Sequence, residues 1–133
     1  MRNVKEIMDD ATDISHSIKV QFGEHKYAFF WTDNAKKRLL EQHISEDEAT
    51  KSLLKDLEEI NSARKANPVL TGDGYFCIRD LRKGFFAVCH LTKQNKRLRV
   101  VTYDGTHVLY PREGDLTYQF TATDVLLRIW VKS

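Results

Sequence analysis

The sequence predicts an α+β fold in which N-terminal helices pack on a meandering antiparallel β-sheet. Two observations predict it: a long segment with helical spacing behind a capping motif, and, later, short alternating segments separated by turn residues. A chain of 133 residues, 41% hydrophobic and 30% charged, has the size and composition of one globular domain. We therefore expect a single domain over residues 1–133.

The N-terminal segment predicts one helix and then a strand pair. Apolar residues recur at helical spacing in residues 4–14, with three aspartates on the opposite side. Ile18, Val20 and Phe22 recur at every second position before Gly23-Glu24, and Tyr27, Phe29 and Trp31 do so after it. This pattern is typical of a hairpin.

Two further helices are predicted next in the chain. Thr32 or Asp33 can cap a helix over residues 34–43, where the apolar residues form one stripe. Ser45 and Glu48 have the spacing of a capping box, in which the hydroxyl accepts an amide hydrogen bond and the carboxylate reaches back to the cap. The apolar spacing behind this box predicts a longer helix that ends before the next proline.

The second half of the chain predicts the sheet. Gln94 and Asn95 can reverse the chain between two strands, and Asp104-Gly105 between two alternating segments is a strong hairpin signal. Thr123 or Asp124 can cap a short terminal helix over residues 125–131, whereas the β-branched residues of this segment favour a strand almost equally. The other predicted strands are 75–79, 85–91, 97–103, 106–110 and 116–120.

The formal net charge of +2 hides an uneven distribution. Residues 1–63 hold 9 Lys and Arg against 13 Asp and Glu, whereas residues 75–112 hold 8 against two. A basic sheet on a nearly neutral protein indicates a local site for a polyanion. The structural alternative is a solvated sheet edge that Lys and Arg protect against aggregation.

Several classes of site and location are disfavoured by the sequence. The five histidines lack metal-ligand spacing, and no glycine-rich phosphate loop or serine-nucleophile motif is present, so we expect no metal and no cofactor. No apolar run is long enough for a membrane span, and the N-terminus lacks a signal-peptide pattern, which favours the cytoplasm. Cys77 and Cys89 are expected to be buried free thiols, although neighbouring strands could place them opposite one another.

The candidate catalytic residues are His90, Arg99 and Tyr110. If the turn after His90 is centred on Gln94-Asn95, His90 falls opposite Arg99. If Asp104-Gly105 is a two-residue turn, Arg99 falls opposite Tyr110 and Arg97 opposite Arg112. A slip of one residue in the first turn would remove His90 from this row. The candidate residues for positioning a phosphate backbone beside the row are Lys93, Arg97 and Arg112.

Such a row suits metal-independent cleavage of RNA. The imidazole of His90 can act as base or acid near neutral pH, and the guanidinium of Arg99 can stabilise charge that develops on phosphate. Tyr110 can donate a proton or stack on a base. The alternative is structural, because a histidine in a strand is more often hydrogen-bonded within the fold and strand tyrosines usually pack.

Two stretches carry a family resemblance. FFWTDNAKKRLLEQHISEDEA at 29–49 and RLRVVTY at 97–103 resemble the RelE/ParE-like toxin superfamily, in its BrnT-type or a related branch. The chain departs from that pattern where His43 runs into Ile44 without a glycine. The resemblance implies a RelE-like or microbial RNase-like fold, with 32–112 as its core, 1–31 as an N-terminal helix and hairpin extension, and 113–133 as a C-terminal tail element.

The same resemblance implies a function and partners. Members are ribonucleases or gyrase poisons paired with a small antitoxin, and the residues that carry over as candidates are Lys37, Arg38, Arg97 and Arg99. We therefore expect a cytoplasmic, metal-independent endoribonuclease-like toxin of a toxin–antitoxin type system acting on RNA, with RNA or the ribosome and a small antitoxin protein as partners. The alternative is a non-catalytic binding protein of a phage or mobile element that uses the basic sheet face for nucleic acid or a protein partner.

Overall fold

A computed structural model describes residues 18–65, 74–106, 109 and 111–129. The helix predicted over residues 4–14 lies outside the described residues. Within them, two helices and seven strands are present. No helix in this part of the chain has the length and apolar character that crossing a membrane requires.

The seven strands form one mixed sheet with the order β1-β2-β5-β4-β3-β6-β7. The pairs β2–β5 and β3–β6 are parallel, and the other four pairs are antiparallel. The strand bounds are β1 Ile18–Phe22, β2 His25–Trp31, β3 Gly74–Asp80, β4 Phe85–Thr92, β5 Arg97–Asp104, β6 Leu116–Phe120 and β7 Val125–Ile129.

The two helices lie between β2 and β3 in the sequence. Helix α1 is Asp33–Glu41, and the Thr32 side chain caps it by accepting a hydrogen bond from the Ala35 amide. Helix α2 is Glu46–Ser62, and the Ser45 hydroxyl accepts a hydrogen bond from the Glu48 amide, as the capping box predicts.

The predicted fold class, N-terminal helices packed on a meandering antiparallel sheet, is wrong. The described helices follow a strand pair in the chain, and the sheet is mixed. The error comes from β2, which pairs in parallel with β5 along the edge that the sequence analysis assigned to a strand over 106–110. β2 covers residues 97–100 of that edge, and the side chains of Asn34 and Gln42 donate to the Val101 and Tyr103 carbonyls beyond it. With β4 on its other side, β5 has no edge left for that strand.

Asp104-Gly105 closes a local turn at the end of β5, and the strands that pair with β5 are β2 and β4. The Asp104 carboxylate accepts hydrogen bonds from the Thr106 amide and hydroxyl, both at 3.1 Å, which closes a local turn. The Gly105 amide donates to the Gln42 side chain at 2.7 Å and so ties this turn to the end of α1. Local polar contacts to α1 therefore replace the ladder that a hairpin would have formed.

One hydrophobic core joins both helices to one face of the sheet, which we call the core face. Side chains from α1, α2 and all seven strands belong to a single buried cluster. Phe22 stacks on Phe76 across the sheet with ring centroids 5.2 Å apart, and Tyr118 meets both rings edge-on. The helices therefore cover the core face and leave the opposite face of the sheet without a packed helix among the described residues.

Candidate functional site

The face opposite the helices, here called the open face, carries a row of four side chains on neighbouring strands. The sheet register pairs Phe30 of β2 with Arg99 of β5, Arg99 with His90 of β4, and His90 with Tyr75 of β3. Paired residues share a face, so these four side chains form one line across the sheet. We call them the four-strand row.

The members of the row contact one another. The Arg99 guanidinium carbon lies 5.5 Å from the centre of the Phe30 ring, and the rings of Tyr75 and His90 are 4.4 Å apart at an interplanar angle of 35°. The Tyr75 side chain is 62% exposed, and the other three are partly exposed. Aromatic rings thus stand at both ends of the row, with two nitrogen-rich side chains between them.

The open face is strongly basic. The register places these Lys and Arg residues on strand positions of that face: Lys19, Lys26, Arg79, Arg97, Arg99 and Arg128. Among the described strand positions of the face, Asp104 is the acidic residue, and Arg38 forms an ion pair with it at 3.2 Å. No carboxylate in the described part of the chain forms an ion pair with Arg99. The field above the row therefore favours an anion.

The structure brings together two of the three predicted catalytic residues. His90 pairs with Arg99 as predicted, because residues 93–96 form the turn between β4 and β5. Tyr110 lies outside the described residues. The partner of Arg99 on its other side is Phe30, since β2 occupies that edge.

The predicted positioning residues fall in different places. Arg97 lies next to the row, with its guanidinium carbon 5.8 Å from the Phe30 ring centre, and pairs with Thr92 and Ala28. The proposed pairing of Arg97 with Arg112 is therefore wrong. Lys93 lies in the β4–β5 turn, three residues along the chain from His90.

The basic residues predicted on the first helix do not join the row. Arg38 pairs with Asp104, which is five residues along β5 from Arg99, a distance of about 17 Å along the strand. Lys37 is exposed on the same helix. These α1 side chains therefore stabilise the far end of β5 or face solvent.

A cavity of about 530 Å³ opens on the same face beside the row. Its floor includes Cys77, Val88 and Thr102, which are neighbours in the sheet register, and Tyr75 lines it as well as belonging to the row. The segment leading into β6 forms one wall, and Asn34 of α1 contributes to the lining. The volume lies within the range of about 300–1,000 Å³ that is usual for small-molecule sites.

Asp115 and Arg112 meet at the wall of this cavity. The Asp115 Oδ2 atom accepts a hydrogen bond from the Arg112 amide at 2.8 Å and lies 3.7 Å from the Arg112 Nε atom. The Cys77 thiol is 3.9 Å from the same oxygen. The Arg112 side chain is 91% exposed, so the predicted phosphate-positioning residue stands at the cavity and not at the end of the row.

Phe30, Tyr75 and the cavity are absent from the sequence prediction. The signal for Phe30 was present, because alternation that buries Tyr27, Phe29 and Trp31 sends Phe30 to the other face. Tyr75 was assigned to a strand, but its neighbour could not be identified without the pairing of β3 and β4. One wall of the cavity is the segment leading into β6, and no local sequence pattern indicates that this segment lies against the sheet.

A second polar cluster lies on the core side of the molecule. Asp56 and Asp80 have no exposed surface, and Lys83 Nζ and Arg82 Nη2 lie 2.7 and 3.4 Å from the Asp56 Oδ1 atom. Burial, together with a hydrogen bond to Asp80, raises the pKa of Asp56 to about 8. The pKa of Asp80 is lowered despite its burial, because Asp56, Arg82 and the Lys83 amide donate to its carboxylate. This cluster links α2 to the β3–β4 turn.

The two cysteines are free and buried, as predicted. The idea that they could lie opposite one another is wrong, because Cys77 pairs with Val88 and Cys89 pairs with Phe76. Cys77 is on the open face and Cys89 on the core face. Burial raises the pKa of Cys77 to about 12 and raises the pKa of Cys89 as well.

Comparison with known proteins adds no assignment. No protein-family description, curated protein or solved structure matches the chain. The resemblance to the RelE/ParE-like superfamily therefore stays a prediction.

Proposed function

We propose that the protein binds single-stranded RNA along its open face. The observation that carries the proposal is the four-strand row, in which the cation and the imidazole lie between two aromatic rings. Single-stranded nucleic acid is bound elsewhere by this combination, because bases of any identity stack on aromatic rings while the backbone follows positive charge.

The dimensions of the row suit a short stretch of chain. Strands in a sheet are about 4.8 Å apart, so Phe30 and Tyr75, three strand spacings apart, are separated by about 14 Å. A base stacked on each ring would leave the intervening phosphates above Arg99 and His90. Arg97, beside Phe30, extends the positive path toward the end of the sheet.

The proposal places the protein in the cytoplasm, where single-stranded RNA is abundant. Two buried free thiols support a reducing compartment. The antitoxin and ribosome partners implied by the family resemblance remain predictions. A protein partner for the basic face also remains a prediction. The exposed aromatic ring of Tyr75 could contact such a partner, but it fits a stacked base more specifically.

A salt titration of RNA binding tests the proposal. Binding of a fluorescent single-stranded RNA should weaken steeply with added salt, because each neutralised phosphate releases counterions. Arg99→Ala should lower the affinity about tenfold and reduce the salt slope by about one contact, as expected when one phosphate contact is lost. Lys51→Ala, on the exposed surface of α2, is the matched loss of charge and should leave both quantities unchanged.

Two results would contradict RNA binding by this face. One is an affinity that does not respond to salt. The other is an equal effect of Arg99→Ala and Lys51→Ala, which would mean that RNA contacts the protein through charge in general. A single-stranded DNA of the same sequence shows how far the 2′-hydroxyl contributes.

Metal-independent cleavage of the bound RNA is a second candidate function, favoured by the pairing of His90 with Arg99. In this reaction a base removes the 2′-hydroxyl proton and the oxygen attacks the adjacent phosphorus. The bond to the 5′-oxygen breaks, and an acid protonates that oxygen, which leaves a 2′,3′-cyclic phosphate and a 5′-hydroxyl. His90 would serve as base or acid and Arg99 would stabilise the phosphorane.

An assay in EDTA tests cleavage separately from binding. Wild type should cut the RNA, and His90→Ala should lose at least about a hundredfold in rate while it retains most of the binding. The substrate control is an oligonucleotide with one 2′-deoxy position, which should resist cleavage at that position alone. If the wild-type protein does not cleave the RNA, with or without ribosomes, the proposed cleavage is wrong and RNA binding alone remains.

A further inference from the structure

We infer that the cavity beside the four-strand row is a guanine-binding pocket. The inference deepens the proposed function and rests on it, since the pocket would select one base of the bound RNA. Tyr75 lines the cavity and also belongs to the row. A base can therefore enter the cavity while the phosphate next to it stays above His90 and Arg99.

The cavity offers flat apolar walls to a planar ring. Val88 in the floor and Phe86, both from β4, belong to its lining, as do Pro111 from the segment before β6 and Leu116 at the start of β6. Apolar and aromatic surface of this kind favours the faces of a heterocycle, whose polar groups are confined to its edges. The walls thus fit a base better than they fit a sugar or a phosphate, which carry polar groups on every side.

Two side-chain oxygens in the cavity lining, on Asp115 and Asn34, are available as acceptors. The Asp115 Oδ2 atom accepts a hydrogen bond from the Arg112 amide, while the Oδ1 atom accepts none from any described residue. The Asn34 amide group donates to the Val101 carbonyl at 3.1 Å, so its remaining polar atom is the Oδ1 acceptor. A ligand that fills the cavity must supply donors to these oxygens.

Guanine supplies the donors in the arrangement that a carboxylate needs. Its N1–H and N2–H₂ groups lie side by side, so both can point at Asp115 without bringing a lone pair toward the negative charge. Adenine and cytosine place a ring nitrogen lone pair beside their amino group, and uracil places a carbonyl on each side of its N3–H. A carboxylate repels those lone pairs, which disfavours the three other bases.

Arg112 completes the match on the other side of the edge. Its guanidinium lies 3.7 Å from Asp115, and the O6 acceptor of guanine is next to the N1–H donor. A base that donates to Asp115 therefore brings O6 toward a cation. The Asp115 carboxylate thus faces the N1–H and N2–H₂ donors of guanine, and the Arg112 guanidinium faces its O6 acceptor.

Binding of nucleosides by NMR tests the pocket without the phosphate contacts of the row. Guanosine should shift the amide signals of Val88 and Thr102, which line the cavity floor. Inosine differs from guanosine only by loss of the 2-amino group and should bind about tenfold more weakly, as expected for one lost hydrogen bond to a charged acceptor. Adenosine, cytidine and uridine should bind more weakly still.

A pair of variants assigns the selectivity to Asp115. Asp115→Asn keeps an oxygen for the Arg112 amide but replaces the second acceptor by a donor, and it should abolish the difference between guanosine and inosine. Glu113→Gln removes the same charge from an exposed side chain two residues away and should retain the difference. Equal thermal unfolding midpoints of the two variants exclude an effect through folding.

The outcomes separate the pocket from RNA binding by the row. Arg99→Ala should weaken RNA binding and leave guanosine binding intact. If guanosine binds but Arg99→Ala does not change the RNA affinity, RNA binding by the row is wrong and the guanine pocket is retained. If RNA affinity depends on Arg99 but guanosine gives no shifts, or shifts equal to those of inosine and uridine, the guanine pocket is overturned.

Discussion

Asp56 shows how one buried carboxyl couples the fold to pH. It has no exposed surface and lies next to Asp80, and its pKa is raised to about 8 by burial and by the hydrogen bond to Asp80. The Asp56 Oδ2 atom accepts no hydrogen bond in this structure, and a proton on Asp56 would let the carboxyl donate to Asp80. The protonated acid is therefore the form that the fold favours.

This leads to a prediction for stability against pH. Between about pH 4 and pH 8 the folded protein holds a proton on Asp56 that the unfolded chain has released, so this contribution is full below pH 4 and is lost as pH rises to 8. As the pH rises from 4 to 8, the free energy of unfolding of wild type should fall relative to that of Asp56→Asn, by up to about 1.4 kcal/mol per pH unit. Denaturant unfolding at several pH values from 5 to 8.5 measures it.

The control for the pH experiment is Glu58→Gln on the exposed side of α2, which should behave like wild type. Asp80 does not interfere, since its lowered pKa changes stability in the opposite direction and only below about pH 4. Parallel pH profiles for wild type and Asp56→Asn would show that Asp56 is ionised in the folded protein.

Tyr75 gives a second prediction at the residue scale. Its ring is 62% exposed and contacts His90, so removing it should cost RNA binding more than folding. Tyr75→Ala should weaken binding of single-stranded RNA by about 1–3 kcal/mol, the usual value for one stacked base. Tyr75→Phe keeps the ring and should bind like wild type in the same fluorescence titration.

If Tyr75→Phe bound as weakly as Tyr75→Ala, the hydroxyl and not the ring would be the contact.

At this scale the sequence was a good guide to His90 and Arg99, because both flank one short turn. Phe30 was not recognised, since it comes from a strand 69 positions away that no local pattern connects to Arg99. Pairing at short sequence separation is predictable, and pairing across the chain is not.

Among the secondary-structure elements, the end of α1 is joined to β5 by one side chain. Gln42 Nε2 donates to the carbonyls of Arg38 and Tyr103, both at 2.8 Å, and Gln42 Oε1 accepts from the Gly105 amide. These contacts hold the chain where it leaves the sheet. They replace the hairpin that the Asp104-Gly105 pair had indicated.

Gln42→Ala should therefore destabilise the fold. The change leaves a partly buried amide and two carbonyls without these partners, which should lower the free energy of unfolding by about 1–3 kcal/mol. Gln94→Ala in the exposed β4–β5 turn is the control and should change it by less than about 0.5 kcal/mol. Urea unfolding gives both values, and a smaller loss for Gln42→Ala than for Gln94→Ala would contradict the role of this link.

Elements with their own signals were predicted well. The second helix was identified from Ser45, Glu48 and the apolar spacing behind them, and the Ser45 hydroxyl caps it as expected. The last segment, which fitted helix or strand equally, is strand β7 because it pairs with β6. Where local preference was balanced, a neighbouring strand decided the outcome.

Considered as a whole, the molecule places its basic residues on one face and its helices on the other. The uneven charge along the sequence predicted a basic sheet over residues 75–112, and the register places Arg79, Arg97 and Arg99 of that stretch on the open face. Lys19 and Lys26 on the same face come from the net acidic half of the chain, which the charge distribution did not indicate. The strand order could not be predicted, because both parallel pairs connect distant parts of the chain. Hydrophobic periodicity fixes which side of a strand is buried but not which strand lies next to it.

Thiol reactivity provides a prediction for the whole molecule. Cys77 is 2% exposed and Cys89 fully buried, and burial raises the pKa of both thiols, so neither should react with Ellman's reagent at pH 8 in the native protein. Both should react fully in denaturant, with a midpoint that matches loss of tryptophan fluorescence. Rapid labelling of one thiol in native buffer would reveal local opening of its strand.

The position of β5 between β2 and β4 has a consequence for protein synthesis. When the ribosome has released the chain only as far as β4, the strands on either side of the gap have no partner there, and their backbone groups are open to pairing with other chains. The fold can close only after Arg97–Asp104 emerges and is inserted between strands made earlier. The newly made protein therefore acquires its complete four-strand row in a single late step, and a chain that stalls before that step is the one most exposed to aggregation.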